Sequence, residues 1–395
     1  MSVDINQRPS NGEHYVDKQP EDIKGSIMLS EYVEAIRDTD VLPESDHRTV
    51  LMGLYGEVGG IMSTAKKHVR EDKAYPGFKR AAEEEFGDTL WYLAAYCRRL
   101  QISLESIFSK VAQGAHFVAT CAASDLTSDA IAKIAVPASP MQIDDALFRL
   151  GSAAAALLDS SDDILVIRDR LERFAHCYWE ALHASHLSFA DIVRMNIAKT
   201  RGAFLAPNTA ELPSFDDQFE EEERIPSEFR IRINQRQTGR SYLRWNDVFI
   251  GDPLTDNIAD PDGYRFHDVF HFSHAAILHW SPVFRALIKQ KRKSKARYDE
   301  AEDGGRAIVV EEGLTAWIFS RAKELNYFEG QNRISFGTLK TIQDFTTGYE
   351  VSQCPLKLWE RAILDGYGVF RKVRDAQGGW VVGDRMARTI RYEPL

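Results

Sequence analysis

The sequence predicts a mainly α chain: two tandem helical repeats, the second degenerate, followed by an α+β domain. Three observations carry this. Apolar residues recur at helical spacing through most of residues 29–118 and 141–205, the pattern switches near Phe229 to the alternation of a strand, and a charged, proline-bearing stretch, 206–227, separates the two regimes. A chain of 395 residues is also too long for one average core, so several domains are expected.

The bulk numbers bound the function. A composition of 44% hydrophobic and 27% charged residues is that of a globular protein, and a net charge of −10 gives no general attraction to nucleic acid or anionic membrane. Residues 1–25 contain no apolar signal core, and no stretch approaches the length of a membrane span. Cys97, Cys121, Cys177 and Cys354 lie far apart without metal or redox spacing. A cytoplasmic protein with reduced thiols is expected.

Residues 1–28 are polar and read as a mobile N-terminal segment. Helices are predicted over about 29–37, 46–70, 78–100 and 103–115, the last opened by Ser103 as N-cap. Residues 119–140 end in Pro137-Ala-Ser-Pro140 and read as a connector, after which helical periodicity resumes to Phe204. The second block echoes the first. Leu147 to Leu157 parallels Leu51 to Ile61, Arg173 to Trp179 parallels Glu85 to Trp91, and Leu187 to Ile192 parallels Ile102 to Ile107. Ala154 stands near the place of Glu57, Arg173 at that of Glu85 and His176 at that of Asp88, so the second copy lacks the acids of the first. The run Glu220 to Glu223 marks 206–227 as an acidic tether. In 228–395, Phe229 to Ile233 alternates as a strand, Asp252-Pro and Asp260-Pro-Asp-Gly263 signal turns, and residues 269–289 and 306–325 read as helices. Gly378 to Val382 and Arg388 to Tyr392 read as closing strands.

The chemistry sits on the first repeat. Glu85 and Asp88, three apart, share a helix face, and a helical hairpin brings Glu57 opposite them. Carboxylates so placed form an oxygen-only site for a hard divalent cation.

The run Glu84-Glu85-Phe86-Gly87-Asp88-Thr89-Leu90-Trp91, with its distance from Gly56-Glu57-Val58-Gly59-Gly60, resembles the MazG-like, all-α nucleoside triphosphate pyrophosphohydrolases. That resemblance implies magnesium, with manganese as a substitute, held by Glu57, Glu85 and Asp88, and cleavage of a nucleoside or deoxynucleoside triphosphate to monophosphate and pyrophosphate. The family signature has four carboxylates. Gly60 stands where the second is expected, and Glu84 is the candidate replacement. Met195-Asn196-Ile-Ala-Lys199-Thr-Arg201 resembles the Asn-x-x-Lys ending of the same family, so Asn196, Lys199 and Arg201 are expected to reach the nucleotide from the second repeat. Lys66 and Lys67 are further phosphate-contact candidates. Units of this family commonly pair, so a homodimer is an expected state.

In the C-terminal domain, His267, Asp268 and His271 open one helix, and Glu311 or Glu312 on another could complete a site for a second, transition-metal ion. A buried polar network is the competing reading. The basic run Lys289 to Arg297 reads as a solvated helix end, and no nucleic-acid partner is expected. The alternative to an enzyme is a nucleotide-sensing regulatory or phage-defence protein, in which the His/Glu domain is the output or a second metal hydrolase site.

Overall fold

The computed structural model describes residues 28–75, 77–112, 141–159 and 161–395. The expected N-terminal segment up to residue 27, the connector and Cys121 lie outside them. The chain divides into two compact units, Met1–Lys199 and Thr200–Leu395.

The first unit is helical throughout its described residues: α1 (Leu29–Ile36), α2 (His47–Glu71), α3 (Phe78–Arg99), α4 (Leu104–Ala112), α5 (Ile143–Leu157), α6 (Ile164–Ala184) and α7 (Phe189–Phe204), which runs past the division. Asp46 caps α2 by accepting the Thr49 N–H at 2.9 Å, satisfying a donor that the helix itself leaves unpaired. α2 packs on α3 and α5, and α6 packs on α5 and α4. The apolar stripes read from the sequence meet in one core, with Phe86, Leu90, Leu93, Phe174 and Tyr178 all 0% exposed. Tyr178 also donates its hydroxyl to the Phe86 carbonyl at 2.9 Å, so its burial leaves no orphaned donor. The echoing positions Phe86 and Phe174, Trp91 and Trp179, and Ile107 and Ile192 are all buried. Truncating Phe86 or Phe174 would cost roughly 3–5 kcal/mol.

The second unit is α+β. An antiparallel sheet of order β3-β2-β1-β4-β5 is built from β1 (Glu228–Gln235), β2 (Ser241–Trp245), β3 (Val248–Leu254), β4 (Gly378–Asp384) and β5 (Thr389–Glu393). Between β3 and β4 run α8 (Asp268–Ser273), α9 (Pro282–Ile288), α10 (Gly305–Glu324), α11 (Phe336–Thr346) and α12 (Leu356–Ala376). Phe229, Ile231 and Ile233 alternate inward along β1, and α12 covers β4, β5 and α8.

Four expectations need correction here. Residues 206–227 are no tether: Phe215, Phe219 and Ile225 are buried, and Asp216 pairs with Arg285 and with Arg385 at 3.2 Å. Of the acidic run, Glu220, Glu221 and Glu222 are exposed, while Glu223 is half-buried and accepts the Ser294 N–H at 2.6 Å. The segment read as one helix over 269–289 breaks instead. α8 passes into a π turn, His274–Leu278, then His279 turns left-handed at φ 61° and Ser281 caps a new helix whose first residue is Pro282. Asp252-Pro253 lies within β3, an edge strand, where proline removes no ladder donor that the sheet needs. The basic run is a turn, and its Arg292 is 0% exposed, bonded to Asp303 at 2.7 Å and Glu350 at 2.6 Å. Among the described residues no helix is long and apolar enough to cross a membrane.

Candidate functional site

α2 and α3 approach closely because one face of α2 carries almost no side chain. Gly53, Glu57 and Gly60 recur at i, i+4 and i+7, against Glu85, Asp88 and Tyr92 at i, i+3 and i+7 of α3. A Cβ at Gly53 would stand 2.2 Å from the Tyr92 ring, and one at Gly60 would stand 2.0 Å from Glu85 Oε2. The Glu85 carboxylate therefore occupies the space that a side chain at position 60 would need. The missing fourth acid and the position of Glu85 are one structural fact.

The three carboxylates are neighbours, with Glu57 against Glu85 and Asp88 close enough for its charge to act on Glu57. The Glu57 carboxyl is hydrogen-bonded to that of Glu85, and burial, followed by the charges of Asp88 and Glu85, pushes Glu57 up to about 8. Burial also raises Asp88, an effect that Lys199 partly offsets. Helix α7 supplies that lysine. Its Nζ contacts Asp88 Oδ2 and lies 2.7 Å from Glu84 Oε1, while Asn196 Nδ2 donates to Asp88 Oδ1 at 3.2 Å. Tyr32, 0% exposed, fixes the Asn196 amide by donating to its Oδ1 at 2.9 Å. Burial pulls the Lys199 pKa down, but Asp88 and Glu84 outweigh it and hold the ammonium above its ordinary range.

The structure thus brings Glu57, Glu84, Glu85, Asp88, Asn196 and Lys199 together. The anchoring tyrosine, Tyr32, was not singled out from the sequence, and nothing in its local pattern distinguishes it from a core aromatic. Lys66 and Lys67 are not part of the cluster. Both are exposed, and nine residues beyond Glu57 places Lys66 roughly 13 Å along α2 and on its opposite face. Arg201 is exposed and falls in the second unit.

The donor set suits a hard cation. Three oxygen ligands leave room for the waters that magnesium retains, and a carboxyl held protonated near neutrality by its neighbours marks a place where negative charge exceeds its compensation.

The second unit holds the other cluster. Asp256 fixes the approach by accepting the Gly263 N–H at 3.0 Å and the Arg265 N–H at 2.8 Å, with Gly263 at φ 89°. His267 then stacks on Tyr264, ring centroids 4.3 Å apart, and its Nδ1 lies 2.9 Å from the Tyr264 carbonyl. His271, one turn on, is 0% exposed. The adjacent acids divide. Glu311 is 0% exposed and accepts from Ser281 Oγ at 2.8 Å and the Val283 N–H at 3.0 Å, with His274 Nδ1 at 2.9 Å and His271 Nδ1 at 3.0 Å. Glu312 instead turns outward, its side chain 41% exposed, with Oε2 at 3.5 Å from both His267 Nε2 and His271 Nε2. A helix rotates about 100° per residue, so the two acids face different sides and share only His271, one at each ring nitrogen.

Residues 210–395 match the family model of the MazG C-terminal domain. No curated protein and no solved structure matches the chain. The match covers the α+β unit from the buried approach segment to the last strand, and that part of the chain is similar to the C-terminal domain of MazG proteins.

Proposed function

We propose that the chain is a magnesium-dependent nucleotide pyrophosphohydrolase that converts a nucleoside or deoxynucleoside triphosphate to monophosphate and pyrophosphate. The observation that carries this reading is the grouping of Glu57, Glu85 and Asp88 beside Lys199 and Asn196, acids from α2 and α3 meeting a cation and an amide from α7.

Glu57, Glu85 and Asp88 would hold the ion, which when bound neutralises the polyphosphate and acidifies a water. The chain's own groups do the rest. Glu57, whose carboxyl is pushed up to about 8 by burial and these neighbours, gives up its proton when it takes up the ion. Water attacks the α-phosphorus, its proton passes to a carboxylate, and the bond to the bridging oxygen breaks, so that pyrophosphate departs. Lys199 stands where it can take up charge developing on that leaving group. Glu84, 2.7 Å from Lys199, positions the ammonium.

Gly60 favours a second reading, nucleotide sensing without turnover, because it leaves the acid set one short of the family signature. One experiment separates the two. Hydrolysis of a panel of ribo- and deoxynucleoside triphosphates with magnesium, products resolved by chromatography, should yield monophosphate and pyrophosphate. Binding detected by calorimetry without any product would overturn the enzyme and favour the sensor.

A further inference from the structure

Among the buried side-chain atoms of the second unit that lack a hydrogen bond, three belong to adjoining residues of α8: both ring nitrogens of His271 and Oδ2 of Asp268. His271 is 0% exposed and Asp268 is 5% exposed, so water does not stand in for the missing partners. Each such orphan costs about 1–3 kcal/mol. A finished polar network would have bonded them. His271 Nδ1 does approach Glu311 Oε1 at 3.0 Å, but off the line of a hydrogen bond.

Several possible ligand atoms lie close together here. His267 Nδ1 sits 2.9 Å from a carbonyl, which can only accept, so that nitrogen carries a proton, and in the neutral ring Nε2 carries the lone pair. On His271 the Glu311 carboxylate lies on the Nδ1 side and leaves Nε2 on the Glu312 side. Both Nε2 atoms are 3.5 Å from the one oxygen, Glu312 Oε2. Metal bonds of about 2.0–2.2 Å meeting at a tetrahedral angle separate ligand atoms by roughly 3.3–3.6 Å. The observed separations match that edge. Asp268 adds an oxygen that, with one nitrogen from each of His267 and His271, fits within a 4.8 Å span.

The outer layer resembles that of a metal site. A ligating histidine characteristically presents its other nitrogen to a carbonyl or carboxylate, and here Tyr264 O lies 2.9 Å from His267 Nδ1 and the Glu311 carboxylate 3.0 Å from His271 Nδ1. Glu311 is itself anchored by Ser281 and the Val283 N–H, so it acts as an orienting group and not as a ligand.

We propose that His267, Asp268, His271 and Glu312 bind a divalent transition-metal ion in the C-terminal domain, at a site separate from the magnesium site assigned to Glu57, Glu85 and Asp88. Two imidazoles with carboxylates select zinc, manganese or iron(II) over magnesium, which prefers oxygen alone. The proposal does not depend on pyrophosphohydrolase activity.

The test uses the full-length chain, stripped with chelator, reloaded with zinc, manganese or anaerobic iron(II) in turn, desalted, and counted by plasma mass spectrometry. One tightly held ion per chain is expected for at least one of the three. It should survive in the combined Glu57→Gln, Glu85→Gln, Asp88→Asn variant and be lost in His267→Gln and in Glu312→Gln. Glu312 is half exposed, so its variant keeps the fold, which an unchanged circular dichroism spectrum verifies. Cobalt(II) loaded in place of the native ion should give a visible ligand-field band that His271→Asn abolishes. Retention of no metal, retention unaffected by all three C-terminal variants, or loss only in the first-unit variant would each overturn the assignment.

Discussion

Glu57→Gln should separate the proton held by the acid cluster from the ion that replaces it. The Glu57 carboxyl titrates at about 8 in the folded chain against 4.5 as an isolated group. The folded state therefore keeps a proton that the unfolded state has released, and stability falls as pH rises from about 4.5 through 8. At 1.36 kcal/mol per unit the full difference is worth about 5 kcal/mol. Solvent at this half-buried side chain, and the sharing of the proton with Glu85 and Asp88, reduce it to about 2 kcal/mol. Glutamine cannot ionise and escapes this loss. In chelator, thermal denaturation of the wild-type chain should thus fall about 4–8 °C below that of the variant between pH 6 and pH 9, with the two equal at pH 5. Magnesium should then raise the wild-type midpoint at pH 8.5, where the cluster is ionised, and leave Glu57→Gln nearly unmoved. Parallel pH profiles for the two proteins, or equal stabilisation of both by magnesium, would refute the reasoning.

Glu85→Gln and Asp88→Asn should each lower pyrophosphate release on the order of a hundredfold or more while the helical circular dichroism is retained; unchanged turnover would remove both from the site. Lys199→Met removes the cation that contacts Asp88 and Glu84. Magnesium alone should then bind tighter and a triphosphate analogue weaker, and calorimetric shifts of the same sign for both would show that Lys199 is only structural. Gly60→Glu supplies the fourth acid but must displace Glu85 Oε2, 2.0 Å from the new Cβ. It should destabilise the chain at pH 8 in chelator yet tighten magnesium binding about tenfold, or about 1.4 kcal/mol, and equal affinity in a calorimetric titration would sink the idea that position 60 faces the ion.

The helices of the first unit were legible because each buries a single stripe, and a stripe at period 3.6 is visible in one dimension. The candidate acids were legible for the same reason, since i, i+3 spacing on a known helix fixes a shared face. What faces them was not. Gly53 and Gly60 read as poor helix formers until Tyr92 and Glu85 are seen filling their places. The second unit hid more. Hairpin β2–β3 turns on Asn246 and Asp247, at φ 49° and 62°, between strands too short and mixed to alternate clearly. Charge concealed the packing of 206–227, because Phe215, Phe219 and Ile225 lack a helical or strand period among the acids. Glu311 and Glu312 were equivalent candidates in sequence. Only the placement of Ser281, beyond the break after α8, shows which of them is held inside.

The two helical repeats contribute unlike things to one place, and electrostatics gives a reason. Burial and the neighbouring Asp88 and Glu85 already push Glu57 up to about 8, with Lys199 only partly offsetting them. A second acidic cluster in the same small unit would add repulsion. Near the corresponding positions of the second repeat stand Ala154, buried, and Arg173 and His176, both exposed. Its contribution comes instead from α7, whose Asn196 and Lys199 bond Asp88 while Ile192, Val193 and Ile197 on the same helix enter the core. The apolar half of the repeat fixes where the polar half points. A repeat that has lost its own acids can therefore stay under constraint at both sets of positions, since loosening the α7 packing would misplace the cation that Glu84 and Asp88 meet.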